Sequence, residues 1–194
     1  LANDQLVGLI APASGGQMYE LDVRSICHNL LATLARRPEA YHRKVAAGEP
    51  EQGQECASIH DRVVFKQQGL DERLHYDQYI RKSLLDRFYS LDANLHSVRE
   101  ETAANEGDFL GSPYETRLRR KPGRVQVLLS RSGHASGVPV RLTKGITAES
   151  GSSTISIAYL LEGLPTDRQL HFGVEFNFAG LPSHAEDRYF YHKS

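Results

Sequence analysis

The chain has 194 residues, with 23 Lys plus Arg against 24 Asp plus Glu, a formal net charge of −1 and 40% apolar content. A compact fold of this size hides roughly 70% of the surface of its extended chain, enough for one sizeable core. The balanced charge gives no global field for nucleic acid or an anionic membrane, and no apolar run approaches the roughly 18 residues of a membrane span, so a soluble protein with neither partner is expected.

In chain order, the opening LANDQLVGLIAP carries neither an initiator Met nor a basic n-region, and it reads as the start of a piece cut from a longer protein. Leu6 to Ile10, then Tyr19, Leu21 and Val23, predict two strands joined through Pro12 and a Gly15-Gly16 turn. Cys27 and Cys56 have no CxxC or CxxH spacing, which argues against a disulfide framework and for a reducing, cytoplasmic setting. Asn29 is expected to cap a turn or two of helix through Leu34, with Pro38 interrupting the run. AAGEPEQGQECAS reads as a surface loop. Leu70, Leu74, Ile80, Leu84, Leu85 and Phe88 approximate a 3.6 period and predict a helix. REETAANEGD is a second polar loop, and KPGR, from Lys121 to Arg124, is a hairpin turn with Pro and Gly at its central positions. Strict alternation then predicts strands at Val125 to Leu129, Val138 to Leu142, Ile155 to Leu161 and Leu170 to Phe178. Such strands at regular spacing point to an antiparallel sandwich rather than βαβ units.

Two strings concentrate chemistry. RRPEAYHRK places Arg36, Arg37, Glu39, Tyr41 and His42 together, and is expected to form an ion-paired structural clamp with Glu39 at its centre. HYDQYIRKSLLDRFY mixes rings with charged forks, and Tyr76, Asp77, Tyr79 and Arg81 are candidate sugar-binding residues or, equally, part of a polar domain interface, since both use ring faces and bidentate polar groups. The basic cluster Arg117, Arg119, Arg120, Lys121 and Arg124 flanks the hairpin turn and reads as edge protection. The His residues lack HxH, HxxxH or HExxH spacing, so no metal site is expected, and no motif calls for a cofactor. Glu100 and Glu101 adjoin, and His171 and Glu175 share a strand face roughly 13 Å apart, too far for direct cooperation. No nucleophile motif such as GxSxG occurs.

The succession GGQMYELDVR, NLLATLARRPEAYH, SIHDRV, GLDERLHYDQYIRKSLLDRF and EGDFLGSPYE, followed by VQVLLSRSG, VPVRLTKGI, ISIAYLLEG and FGVEFNFA, resembles the C-terminal β-domain of the α-amylase and 4-α-glucanotransferase branch of glycoside hydrolase family 57. The resemblance implies an all-β, mainly antiparallel fold, a large two-sheet sandwich of the galactose-mutarotase-like supersandwich kind with a few short helices. It implies that residues 1–194 form one β-sandwich domain, an incomplete C-terminal part of an enzyme whose catalytic barrel precedes Leu1. The family's two catalytic carboxylates lie in that barrel, so no catalytic residue is carried over to this chain. The implied role is a non-catalytic domain that packs on the N-terminal catalytic domain, borders its cleft and has α-glucan or maltooligosaccharide as ligand. Two rival expectations are an autonomous sugar epimerase or mutarotase using His171 and Glu175, and a stand-alone carbohydrate-binding module, against which the absence of Trp counts.

Overall fold

Apolar residues at every second position make strands the dominant element, and a strand of that pattern buries one row of side chains against a facing layer. The computed structural model describes residues 1–46, 69, 71, 74–179 and 186. Strand β1 (Leu6–Ala11) pairs antiparallel with β2 (Gln17–Val23), and β2 pairs with the short β3 (His28–Asn29). Between β1 and β2 the chain turns through Gly15 and Gly16 at φ +75° and +56°, a region open to glycine. Helices α1 (His42–Ala46) and α2 (Leu95–Arg99) flank β4 (Leu85–Tyr89) in sequence. Asn94 caps α2 by accepting from the Ser97 N–H, while the Ser97 hydroxyl accepts from the Asn94 N–H. Four further strands, β5 (Glu115–Lys121), β6 (Arg124–Ala135), β7 (Val138–Glu149) and β8 (Ile155–Glu162), form an antiparallel meander, and β9 (His171–Glu175) pairs with β4.

The expected all-β antiparallel sandwich is the architecture found. Met18 and Ser83 exchange backbone hydrogen bonds of 2.9 and 3.1 Å, which link the β1–β3 sheet to the β4–β9 pair in one layer. Met18, Leu31, Leu84 and Phe88 from that layer meet Val127, Leu129, Val140, Leu142 and Ile146 of the four-stranded sheet in one apolar core. The KPGR hairpin forms as expected, with Lys121 opposite Arg124 and Gly123 at φ +71°.

Two expected helices are corrected. The described part of the segment from Leu74 to Phe88 holds no helix, and its end is strand β4. Its pairing with β9 and the bridge from Ser83 to Met18 satisfy the backbone from two sides, so tertiary pairing overrides local periodicity. Leu84, at φ +65°, makes the bend between them. Nor does Asn29 cap a helix; its side-chain oxygen accepts from the N–H groups of Leu21 and Leu31 at 3.2 and 2.8 Å and pins β3 against β2. The strand expected over Leu170 to Phe178 keeps ladder pairing only to Glu175. Beyond it the Ser83 hydroxyl, whose backbone is already committed to Met18, bonds the Asn177 main chain instead. Most of the AAGEPEQGQECAS loop, Cys56, SIHDRV and Leu70 lie outside the described residues.

The apolar core encloses one ion pair. Lys144 on β7 and Asp86 on β4, both with fully buried side chains, meet at 2.8 Å across the two layers. The Lys144 ammonium also donates to the carbonyls of Gly15 and Leu84 at 3.0 and 2.9 Å, which uses all three of its protons. Asp86 in turn accepts from the phenols of Tyr114 at 2.6 Å and Tyr159 at 2.9 Å. Burial, reinforced by the Asp86 charge, pushes both phenols well above their ordinary range, so they stay donors. A Cβ on Gly16 would lie 2.9 Å from the Lys144 Cε, so the glycine leaves the room the lysine stem occupies.

By contact density the chain forms two compact units, Leu1–Thr33 with Lys82–Ser194, which holds the sandwich, and Leu34–Arg81. Among the described residues no helix is long and apolar enough to cross a membrane.

Candidate functional site

Within the unit Leu34–Arg81, the two chemically dense strings come together. Arg36 and Asp77 exchange main-chain and side-chain contacts: the Asp77 N–H donates to the Arg36 carbonyl at 2.8 Å, and the Arg36 N–H donates to Asp77 Oδ2 at 2.6 Å. The Arg36 fork adds Nε and Nη2 bonds to Oδ1 at 3.1 and 2.7 Å, and Arg81 Nε reaches the same oxygen at 2.7 Å. The Asp77 side chain is 1% exposed, against 47% for Arg36 and 25% for Arg81, so the carboxylate is a buried hub with its cations facing water. Burial opposes its ionisation, but the Arg36 and Arg81 hydrogen bonds prevail and hold Asp77 at about 2, below the ordinary 3.8.

Next to this hub stands an aromatic group. The Tyr41 ring meets the His42 ring edge-on at 4.3 Å between centroids, and the His42 ring lies 5.6 Å from that of Tyr76. His42 Nδ1 accepts from the Glu39 backbone N–H at 3.2 Å and sits 3.2 Å from the Tyr76 hydroxyl. A ring nitrogen that accepts a backbone N–H carries no proton, so the phenol is the donor in that second contact. Tyr41 and Tyr76 remain 58% and 39% exposed. The arrangement therefore offers two exposed rings beside partly exposed guanidiniums, on a scaffold fixed by Asp77.

The structure thus joins Arg36 to Asp77 and Arg81, and Tyr41 and His42 to Tyr76. Asp77 directs its carboxylate to arginines rather than outward, and the clamp closes on Asp77 instead of Glu39. Among the described residues the Glu39 carboxylate makes no ion pair; Glu39 and Arg37 are exposed, and Tyr79 is half-buried. His171 and Glu175 are engaged at opposite ends of β9: His171 Nδ1 lies 3.3 Å from the Ser90 carbonyl, and Glu175 pairs with Arg87 at 3.0 Å and accepts from Asn177 at 2.8 Å. The basic cluster lines β5, exposed along its whole length at the sheet edge, and the turn that follows it. No group of three or more potential metal-ligating side chains occurs among the described residues.

The Lys144–Asp86 pair is the feature that strand periodicity alone passes over. Its signal lies in the sequence: Lys144 falls on the apolar phase of Val140, Leu142, Ile146 and Ala148, where a charge needs a buried partner.

A family model described as alpha-amylase/4-alpha-glucanotransferase, C-terminal, matches residues 1–194. The chain is similar to Alpha-amylase 1 of Dictyoglomus thermophilum, 29% identical over 183 residues that make up 93% of this chain and 26% of the relative. It is also similar to the 4-alpha-glucanotransferase of Thermococcus kodakarensis, 29% identical over 180 residues, 92% of this chain and 26% of that protein. The crystal structure of 4-alpha-glucanotransferase from Thermococcus litoralis matches with a TM-score of 0.69 at 28% identity, covering 92% of this chain and 26% of that one. The chain spans about a quarter of the length of these relatives. With its full span matched by the family model and its backbone matched by a solved 4-alpha-glucanotransferase at a TM-score of 0.69, the chain belongs to the alpha-amylase/4-alpha-glucanotransferase C-terminal domain family.

Proposed function

We propose that this chain is the non-catalytic β-domain of an α-glucan-processing glycoside hydrolase or transferase, packed on an N-terminal catalytic domain, and that its Tyr41–His42–Tyr76 surface contacts the glucan. The observation that carries the reading is the match of residues 1–194 to a C-terminal family model while the relatives are about four times longer. The reaction class of those relatives needs two carboxylates flanking the scissile bond, about 5 to 5.5 Å apart in a retaining enzyme. Among the acidic groups described in the candidate site, Asp77 is tied up by arginines, which suits a scaffold and not a proton donor. The exposed rings of Tyr41 and Tyr76 supply the apolar faces on which sugar C–H groups pack. The exposed free thiol of Cys27 fits the cytoplasmic setting that belongs to this reading.

In the full-length enzyme, Tyr76→Ala is expected to raise KM for maltoheptaose roughly tenfold with kcat nearly unchanged, because a stacking contact worth about 1.4 kcal/mol in both ground and transition states is uniform binding. Steady-state kinetics check this. A fall in kcat at constant KM would place Tyr76 in the reaction step and contradict the reading.

A further inference from the structure

The outer face of the four-stranded sheet, turned away from the core, carries an open polar cavity of about 220 Å³ lined by Pro113, Glu115, Ser130, Arg131, Ser132 and Arg141. Register explains the convergence. Ser130 and Ser132 point to the same side of β6, Glu115 of β5 stands opposite Ser130, and Arg141 of β7 stands opposite Ser132. The Arg141 guanidinium lies 3.4 Å from Ser132 Oγ, 3.5 Å from Ser130 Oγ and 3.9 Å from the Glu162 carboxylate, all at or beyond the long limit of a hydrogen bond. Its side chain is 49% exposed, so its donors are oriented but underused. Arg131 donates to the Pro113 carbonyl at 3.3 Å and fixes the rim. Among the described residues the Glu115 carboxylate has no ion-pair partner, and it remains an acceptor in the lining.

We propose that this cavity is a second carbohydrate subsite, holding one glucosyl unit of an α-glucan through Arg141, Ser130, Ser132 and Glu115; the proposal rests on the glucan reading above. Two observations choose a neutral polyol over an anion. The lining combines a guanidinium fork, two hydroxyls and a carboxylate, so donors and acceptors alternate as vicinal hydroxyls require. An anion would instead meet the Glu115 carboxylate in the lining and that of Glu162, 3.9 Å from Arg141. The volume lies below the roughly 300 to 1,000 Å³ of pockets that enclose drug-sized ligands, which suits a single ring of a chain that continues into solvent.

Hydrogen exchange of the full-length protein with maltoheptaose, read by mass spectrometry, tests the subsite. Slower exchange is expected in peptides covering residues 113–115, 128–132 and 139–143. Arg141→Ala should abolish that slowing while leaving the slowing of peptides 34–46 and 74–81 intact. Arg141→Lys, which keeps the charge and stem but loses the fork, should raise the half-maximal maltoheptaose concentration about tenfold, and it carries the test if the alanine variant does not fold. Slowing of the 34–46 and 74–81 peptides alone overturns the subsite and leaves the glucan reading standing. Slowing nowhere overturns both. Slowing of the sheet peptides by inorganic phosphate but not by maltoheptaose makes the cavity an anion site and overturns the proposal, as does sugar-induced slowing that survives both variants.

Discussion

Asp86→Asn is expected to destabilise the sandwich by about 3 to 5 kcal/mol, because it strands the Lys144 ammonium in the core without a countercharge. A loss of that size lowers the melting temperature on the order of 10 °C for a unit of this size. The deficit should also depend on pH in a defined direction. Burial pulls the Lys144 pKa down, and Asp86 opposes that pull; removing Asp86 leaves burial unopposed. A lysine whose pKa is lower in the folded than in the unfolded state penalises folding fully while both states are protonated. The penalty disappears as pH rises through the folded pKa toward the unfolded one. The difference between parent and variant, measured by denaturant melts, is therefore larger at pH 7 than at pH 10. A deficit below about 1 kcal/mol, typical of a surface pair, would contradict the burial of this knot.

The second large effect belongs to Asp77. With its pKa held at about 2 against an ordinary 3.8, the carboxylate contributes stability that is fully present above about pH 4 and is lost as pH falls from 3.8 toward 2. Acid should therefore loosen the segments 34–46 and 74–81 in that window, seen as faster amide exchange or proteolytic nicking there. Asp77→Asn should cost about 2 kcal/mol at neutral pH, in line with charge-assisted hydrogen bonds whose arginines stay partly in water, and should erase the acid step. An acid step that persists in the variant would assign it to other carboxylates.

How far the sequence reveals this molecule depends on how each strand meets water. Along β8, apolar Ile155, Ile157, Tyr159 and Leu161 face the core while Ser156, Ala158 and Leu160 are exposed, and such one-sided burial writes its own alternation. Strand β4 is buried on both faces, and LLDRFY loses alternation and mimics a helical stripe. Strand β5 is the opposite case: both faces are exposed, so ETRLRRK shows charge and no period. The candidate site was half legible. Mixed rings and charges marked both strings, but the pairing of Arg36 with Asp77 spans 41 residues, and no local spacing encodes a contact at that separation. The nearer carboxylate of Glu39 was the local choice, and the distant one won because it accepts from the Arg36 side chain, the Arg36 main chain and Arg81 at once.

The assignment as a non-catalytic domain is tested most directly by incubating maltoheptaose with purified residues 1–194, shown by circular dichroism to be folded, alongside the full-length protein, and separating the products by chromatography. The account predicts cleavage or chain-length redistribution by the full-length protein and an unchanged maltoheptaose peak with the isolated chain. Reproducible turnover by the isolated chain would contradict it.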